Sequence, residues 1–255
     1  MKDKILPLLD WSIDDKRSQQ AWHGYLIWGR WNDELLPYLL PLYEMTFSRL
    51  NQHFTKELRD AFCRHLASVA IYSRIDPLKH GWLWRFLSTV NDEMRRGWAS
   101  AIRIELDSLN EDAVKDLWDR WMNKYWAERI TGVPVSLSQD EIEEMIYWAT
   151  ELGPVFPDAV DKICASNPPK LENTHVYHDF QRKDFATKHP APLARLLVHL
   201  LPNAVEPFWQ CRDVEELIRT LLQTTAPRGP LLQICNELAR LGCTNASELG
   251  KTCQN

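Results

Sequence analysis

Glycine is scarce in this sequence, with nine residues among 255. Loops that bind phosphate groups contain several glycines within a few residues, because a residue without a side chain lets the backbone lie close to the ligand. The nucleotide-binding patterns G-x-x-x-x-G-K-[ST] and G-x-G-x-x-G do not occur. The hydrolase pattern G-x-S-x-G and the metalloprotease pattern H-E-x-x-H do not occur either. We therefore expect a protein that is not an enzyme and that needs no cofactor.

Long apolar runs and long basic runs are missing too. The apolar stretch near the start, Ile5–Leu9, is too short for a signal peptide. The stretch Leu193–Leu201 contains Arg195 and His199, and it is about half of the ~20 residues that a membrane span requires. No basic run exceeds two residues, and the formal net charge is -5. These features predict a cytoplasmic protein that has no membrane segment and does not bind nucleic acid as its main partner.

The six cysteines show no metal-binding or redox spacing. None of them forms a C-x-x-C pair, and zinc sites use such closely paired ligands. Most lie in or near apolar helical stretches. We therefore expect reduced thiols, as in cytosolic proteins, at all six positions: Cys63, Cys164, Cys211, Cys235, Cys243 and Cys253.

Helical spacing of apolar residues dominates the chain, most clearly between residues 108 and 152. Ser108 and Glu111 are spaced as a capping box, and so are Ser138 and Glu141. Each box is followed by one apolar stripe, so each helix needs a neighbour. We assign the acidic residues of the second box and its first turn to stabilisation of the helix dipole. Trp118 and Trp121 lie on the first stripe and should pack in the core.

The same pattern elsewhere predicts an all-α fold, an irregular helical-repeat (solenoid-like) array of about eleven amphipathic helices. No repeat of fixed length occurs. We expect an N-terminal helical array over residues 1–153 and a C-terminal helical bundle over residues 193–255, continuous with the first. Between them, residues 154–192 should form a proline-bounded short helix and a polar loop. Pro7 suggests an extended or irregular start over Met1–Trp11.

Twelve tryptophans are the outlier of the composition. Two pairs flank predicted helix ends, where an indole ring can stay exposed. Exposed tryptophan is a frequent anchor of protein interfaces. We therefore take four residues as candidate partner-binding residues: Trp28, Trp31, Trp82 and Trp84.

A metal site is the alternative source of chemistry. His175 and His178 are three residues apart, which places them on one face if they are helical, and Asp179 is adjacent. The sequence does not identify a further ligand. Histidines in a polar loop are also common without any metal, so both interpretations stay open.

Two short stretches carry a family resemblance. They are residues 6–12 (LPLLDWS) followed by residues 21–28 (AWHGYLIW), and residues 189–194 (HPAPLA). Together they resemble a helical domain of unknown function at the C-terminal end of bacterial sirtuin-like proteins, some of which act in antiphage defence. The resemblance implies a sensing or scaffolding region whose NAD-consuming domain lies upstream or on another chain. It implies no catalytic residue here.

The leading hypothesis is therefore a non-enzymatic helical protein-interaction module, a sensor or scaffold, in a bacterial antiphage defence system. Its partner would be an effector domain or a phage protein. The alternative is a metal-dependent enzyme that uses the region of His175 and His178. A helical array that binds nucleic acid would require a basic concave face, which the composition does not suggest.

Overall fold

The computed structural model describes residues 2–10, 16–171, 175–201 and 211–254. Within these ranges every regular element is a helix and no strand is present, so the predicted all-α class is confirmed. The described residues contain sixteen α-helical segments, more than the eleven expected. None of these helices is both long enough and apolar enough to span a lipid bilayer. The solenoid-like arrangement stays a prediction.

The chain divides into two compact units, Met1–Glu144 and Met145–Asn255. This division falls within helix α9, and the three-part division of the sequence into residues 1–153, 154–192 and 193–255 stays a prediction. The first unit and the shared helix comprise α1 Lys2–Leu9, α2 Lys16–Trp28, α3 Leu36–His53, α4 Lys56–Tyr72, α5 Trp82–Thr89, α6 Asp92–Leu106, α7 Glu111–Leu117, α8 Asn123–Ile130 and α9 Gln139–Trp148.

Helix α4 is the central helix of the first unit. It packs against α2 and α6, and its buried residues cover most of its circumference. The apolar stripe expected for it, which includes Leu58, Phe62 and Leu66, is buried. Such a helix is held in place from several sides, so residues at its remaining exposed edge are presented on a rigid support.

The long helix predicted after Ser108 runs from Glu111 to Ile130 with one π-helical turn, Trp118–Met122, between α7 and α8. Trp118 and Trp121 are buried, as expected. The predicted cap is wrong by two residues. The Asn110 side chain accepts the hydrogen bond from the Ala113 backbone N–H at 2.9 Å, whereas the Ser108 hydroxyl donates to the Glu105 carbonyl oxygen at 2.7 Å.

Two further expectations of irregular structure are wrong. Residues 2–9 form helix α1 although Pro7 lies within it. In the segment expected to be a polar loop, residues 176–182 and 185–188 are helices α11 and α12. Their aromatic residues Tyr177, Phe180 and Phe185 are buried. The apolar residues of this segment are too widely spaced to give one sequence stripe, but two short helices together bury them.

The second unit continues with short helices around its own apolar core. Leu193, Leu197, Ile218 and Ile234 are among its fully buried residues. Its helices are α10 Phe156–Ala165, α11 Val176–Arg182, α12 Phe185–Lys188, α13 Pro190–Leu200, α14 Cys211–Leu222, α15 Arg228–Arg240 and α16 Ala246–Gln254, with a 3₁₀ turn at Gly153–Val155.

The cysteines of the second unit correct one prediction. Cys211 and Cys243 form a disulfide, with a sulfur–sulfur distance of 1.95 Å, so the expectation of reduced thiols is wrong for this pair. The other four cysteines are free. Disulfides are rare in cytosolic proteins. Cysteine usage therefore no longer supports the predicted cytoplasmic location, which stays a prediction.

Candidate functional site

The four candidate tryptophans fall into different environments. Trp28 is 84% exposed at the C-terminal end of α2, and its neighbour Ile27 is 48% exposed. Trp31 is half-buried and stacks on Tyr72, with ring centroids 6.2 Å apart. These three aromatic rings lie around one surface groove. The structure therefore brings Trp28 and Trp31 together, as members of one site.

The other pair does not form a comparable surface. Trp82 is 1% exposed, so its assignment as an exposed partner-binding anchor is corrected to a core residue. Trp84 is half-buried and stacks on the buried Tyr125, with centroids 5.8 Å apart and planes 8° from parallel. Its role in partner binding stays a prediction.

The groove at Trp28, named here the Trp28 groove, has a volume of about 690 Å³. This value lies within the range of ligand-binding clefts, ~300–1,000 Å³. One wall comes from the end of α2 and the loop after it, and the other from one edge of α4. The lining residues are residues 26–31, Ala61, Arg64, His65, Ser68 and Tyr72.

Gly29 allows the chain to turn at the groove. Its backbone N–H donates to the Tyr25 carbonyl oxygen at 2.7 Å. A Cβ atom at this position would lie 2.5 Å from that oxygen and 2.4 Å from the Tyr25 ring. Neither distance is sterically possible, so only glycine fits. Its turn ends α2 and leads directly into the loop that carries Arg30 and Trp31.

A buried polar network extends inward from His65, its one member among the lining residues of the groove. The His65 Nε2 atom is 2.6 Å from the Tyr43 hydroxyl oxygen, which is 3.3 Å from the Tyr25 hydroxyl oxygen. Burial lowers the pKa of His65 to about 4, against an opposing hydrogen bond with the Gly29 backbone. Burial also raises the pKa of Tyr43 well above 10. The network is therefore neutral near pH 7, and His65 adds no formal charge to the groove.

The charge of the groove comes from its rim. Arg30 and Arg64 are both exposed, and neither forms an ion pair within the described residues. The nearby carboxylate of Glu105 accepts a hydrogen bond from the Ser68 hydroxyl at 2.6 Å. Tyr72 contacts the Ser108 hydroxyl oxygen at 2.8 Å. The groove thus combines an apolar aromatic surface with two guanidinium groups.

A second polar cluster lies inside the first unit, around Glu141. Glu141 and Arg129 form a salt bridge in which both side chains are fully buried. Arg129 Nε lies 3.0 Å from Glu141 Oε1, and Arg129 Nη2 lies 2.7 Å from Oε2. The Tyr125 hydroxyl donates to the same carboxylate at 3.3 Å. The earlier assignment of Glu141 to the helix dipole is therefore incomplete.

This cluster holds the structure rather than reacting with a ligand. The Ser138 hydroxyl oxygen accepts a hydrogen bond from the Glu141 backbone N–H at 3.2 Å, which confirms Ser138 as the cap of α9. The Arg129 guanidinium also donates to the Val133 carbonyl oxygen at 2.9 Å. Arg129 and Glu141 therefore tie the end of α8, the following loop and the start of α9 together. A charge pair with no exposed surface offers no access to a substrate.

The predicted metal residues His175, His178 and Asp179 are not grouped as a three-ligand site in the described part of the chain. His175 precedes α11, and His178 lies on α11 with Asp179; both histidines are exposed. Asp179 is 3.5 Å from the guanidinium of Arg182 and 4.0 Å from His178 Nδ1. Across the described ranges, no three His, Cys, Asp or Glu side chains are grouped so that they could hold a metal ion. Metal binding by these residues stays a prediction.

Sequence reasoning missed the polar residues on the buried faces, although a signal for two of them exists. His65 follows Leu58 by seven residues and precedes Val69 by four, so it lies on the apolar stripe of α4. Arg129 follows Tyr125 by four residues and continues the stripe of the preceding helix. A polar residue on such a stripe needs a buried partner. Arg30 and Arg64 had no comparable signal, because only the tertiary structure brings them to one rim.

The described residues form an all-helical protein in which the Trp28 groove is an exposed aromatic surface. The chain belongs to the family described as Domain of unknown function (DUF4020), whose profile matches residues 71–238, about two thirds of the sequence. Comparison with curated proteins finds no match, and comparison with solved structures finds none either. The family match covers the Glu141 cluster but, of the groove residues, only Tyr72.

Proposed function

We propose that this protein is a non-enzymatic helical interaction module that binds a protein partner through the Trp28 groove. The observation that carries the proposal is the exposure of Trp28, at 84%, beside the exposed Ile27 and the half-buried Trp31. Burial of a large apolar side chain in an interface stabilises a complex by about 2 kcal/mol. The Trp28 indole is exposed to water in the free chain, so a partner that covers it gains this stabilisation. Tryptophan and arginine are the residue types most enriched at the energetic centres of interfaces.

The rigid support of the groove favours the same function. Trp31 is stacked on Tyr72, and Tyr72 belongs to the central helix α4. Side chains fixed before binding lose little conformational entropy when a partner arrives. The groove therefore supplies one exposed anchor at Trp28 and one wall of stacked aromatic rings.

The resemblance described above supplies the biological setting of the proposal. It supports a partner that is an NAD-consuming effector domain of the sirtuin-like type or a phage protein, within the bacterial cytoplasm. The family match supports an unknown-function helical domain and does not extend to that setting. The metal-dependent alternative is not proposed, because no described observation favours it.

The proposal is tested by affinity capture of the full chain from its native cell, with and without phage infection, followed by mass spectrometry. We expect wild type to recover a specific protein that the Trp28→Ala variant loses. Tyr38→Ala is the matched control, since Tyr38 is another aromatic residue with 47% exposure and it does not line the groove. Circular dichroism verifies that both variants stay folded. Equal recovery by wild type and Trp28→Ala contradicts the proposal.

A further inference from the structure

Two arginines of the Trp28 groove lack the carboxylate partners that six other arginines of the same unit have, although the absence of an ion pair is not confined to them, since the exposed Arg74 forms none within the described residues either. Within the described residues, no ion pair includes Arg30 or Arg64. Other arginines of this unit do face a carboxylate: Arg59 with Glu93, Arg85 with Glu44, Arg95 with Asp92, Arg96 with Glu144, Arg120 with Asp116 and Arg129 with Glu141. The two guanidinium groups on the rim therefore keep their N–H donors available for the carboxylates of a ligand.

Three carboxylates lie on or near the segments that form the groove, and none of them forms an ion pair with Arg30 or Arg64 within the described residues: Asp60 lies one helical turn before Arg64 on α4, and the other two accept hydrogen bonds from hydroxyl groups. Glu105 accepts from the Ser68 hydroxyl at 2.6 Å, and Asp33 accepts from the Ser73 hydroxyl at 2.7 Å. An arginine side chain stays protonated at any physiological pH, and its planar guanidinium can bind a carboxylate through two parallel hydrogen bonds. Arg30 and Arg64 can therefore each pair with a carboxylate of a ligand.

The charged rim and the apolar surface belong to the same short segment. Arg30 lies between Trp28 and Trp31 in sequence, and Arg64 lines the opposite wall on α4. A ligand that covers the exposed indole thus passes within reach of a guanidinium group. Its chemistry must combine an apolar or aromatic group with one or more anionic groups.

We infer that the ligand of the Trp28 groove is an acidic peptide segment of the protein partner. An apolar or aromatic side chain of that segment would pack on Trp28 and Trp31, and neighbouring Asp or Glu residues would pair with Arg30 and Arg64. This inference rests on the proposed function. The inference extends the proposed function by specifying the charge and composition of the partner's binding segment.

The geometry favours a peptide over a free nucleotide. Trp28 is 84% exposed in the free chain, so a ligand that covers its ring must lie on an open surface beside the groove as well as fill the groove. The residues of α4 that line the groove, from Ala61 to Tyr72, belong to the middle and end of the helix. The helix N-terminus, where backbone N–H groups favour phosphate, is not part of the lining.

The test is a selection from a random-peptide library on the immobilised full chain, followed by affinity measurement of synthetic copies by fluorescence anisotropy. We expect selected peptides to be enriched in Asp and Glu next to Trp, Phe or Leu. The Arg30→Glu/Arg64→Glu variant should weaken their binding at least about tenfold, as should Trp28→Ala. Because the contacts are ionic and partly exposed, the affinity should also decrease with added salt.

A matched control separates local charge from net charge. Arg228→Glu/Lys251→Glu changes the net charge by the same amount at two exposed residues that do not line the groove, and it should leave the affinity within about twofold of wild type. Equal weakening by this control overturns the inference. The inference is also overturned if the selected peptides lack acidic residues, if no peptide is selected, or if ADP binds more tightly than the peptide and displaces it. If Trp28→Ala abolishes binding but the charge reversal at the rim does not, the interaction function stands and the acidic partner is wrong.

Discussion

Among the acidic residues of α9, Glu141 is the one whose substitution should destabilise the first unit most. Its carboxylate is fully buried and paired with Arg129. Removal of one member of a buried pair leaves the other charge desolvated and costs about 3–5 kcal/mol. We therefore expect Glu141→Gln to lower the free energy of unfolding by about 3 kcal/mol, measured by urea denaturation with tryptophan fluorescence.

Glu143→Gln is the control for this measurement. Glu143 lies on the same helix, is only half-buried and forms no ion pair within the described residues. Its substitution should change the stability by less than about 0.5 kcal/mol. The double substitution Arg129→Met/Glu141→Leu removes the paired charges but leaves Arg95, whose Nε atom is 3.9 Å from Glu141 Oε2, so it should recover part of the loss. Similar destabilisation by Glu141→Gln and Glu143→Gln would show that the buried pair is not formed.

His65 should make the stability of the protein depend on pH. Burial lowers its folded pKa to about 4, below the ordinary value of 6.5. Above pH 6.5 the ring is neutral in both states. As the pH falls from 6.5 to about 4, the unfolded chain takes up a proton that the folded chain does not. The stability should therefore decrease by about 3 kcal/mol across this window.

The contribution of His65 is isolated by comparison of two variants. The His65→Gln variant should lose most of this pH dependence, whereas the His80→Gln variant should keep it, because His80 is exposed. Burial also lowers the pKa of His23 in the same unit, so a smaller slope remains in every variant. Urea unfolding at a series of pH values gives the comparison. An unchanged slope in His65→Gln would mean that its ring is not buried in neutral form.

At the scale of the element, the start of α7 shows that a capping-box sequence pattern and the residue that caps the helix can differ. Ser108 and Glu111 have the spacing of a capping box, but Asn110 makes the bond to the Ala113 backbone N–H. We expect Asn110→Ala to lower the stability by about 1 kcal/mol, the usual cost of a lost N-cap. Thermal unfolding followed by circular dichroism measures this change.

Asp107→Ala serves as the nearby polar control, because Asp107 is exposed and precedes the capping position. Its effect should be smaller than that of Asn110→Ala. A larger loss of stability in Asp107→Ala than in Asn110→Ala would mean that the helix begins before Asn110. The two candidates for the cap illustrate why boundaries are hard to predict: several polar residues in a row can cap, and only the backbone conformation decides which one does.

At the scale of the whole molecule, the compactness of the first unit predicts that it can fold by itself. A fragment of residues 1–153 contains that unit and all of α9. We expect it to be helical and to unfold cooperatively by circular dichroism. A fragment of residues 1–137 lacks Glu141 and leaves Arg129 without its carboxylate, so it should lose cooperativity. A non-cooperative 1–153 fragment would contradict the autonomy of the first unit.

Much of the helical content follows from the sequence alone. Stripes such as those of α4 and of the helix after Asn110 repeat with helical period, and glycines at helix ends, such as Gly242 with a positive φ of 82°, match their expected place. The all-α class followed from this periodicity. The chain around α11 and α12 was misread because very short helices contain too few turns to show a period.

The candidate site was predictable only in part. Trp28 and Trp31 were recognisable because tryptophan beside a helix-ending glycine has a fair chance of exposure, but the same reasoning wrongly placed Trp82 on the surface. Local sequence reports which residues are apolar. It does not report which of them another helix covers, since burial depends on segments far away in the chain.

The sequence by itself determined the helical class, most helix positions and the absence of the common catalytic motifs. The tertiary structure alone decided which side chains meet. It places His65 among the residues that line the groove, pairs Arg129 with Glu141, and brings Arg30 and Arg64 to one rim across 34 residues of sequence. The physical reason is that periodicity is a local property of the backbone, whereas desolvation and charge pairing depend on distances between helices that only the folded chain defines.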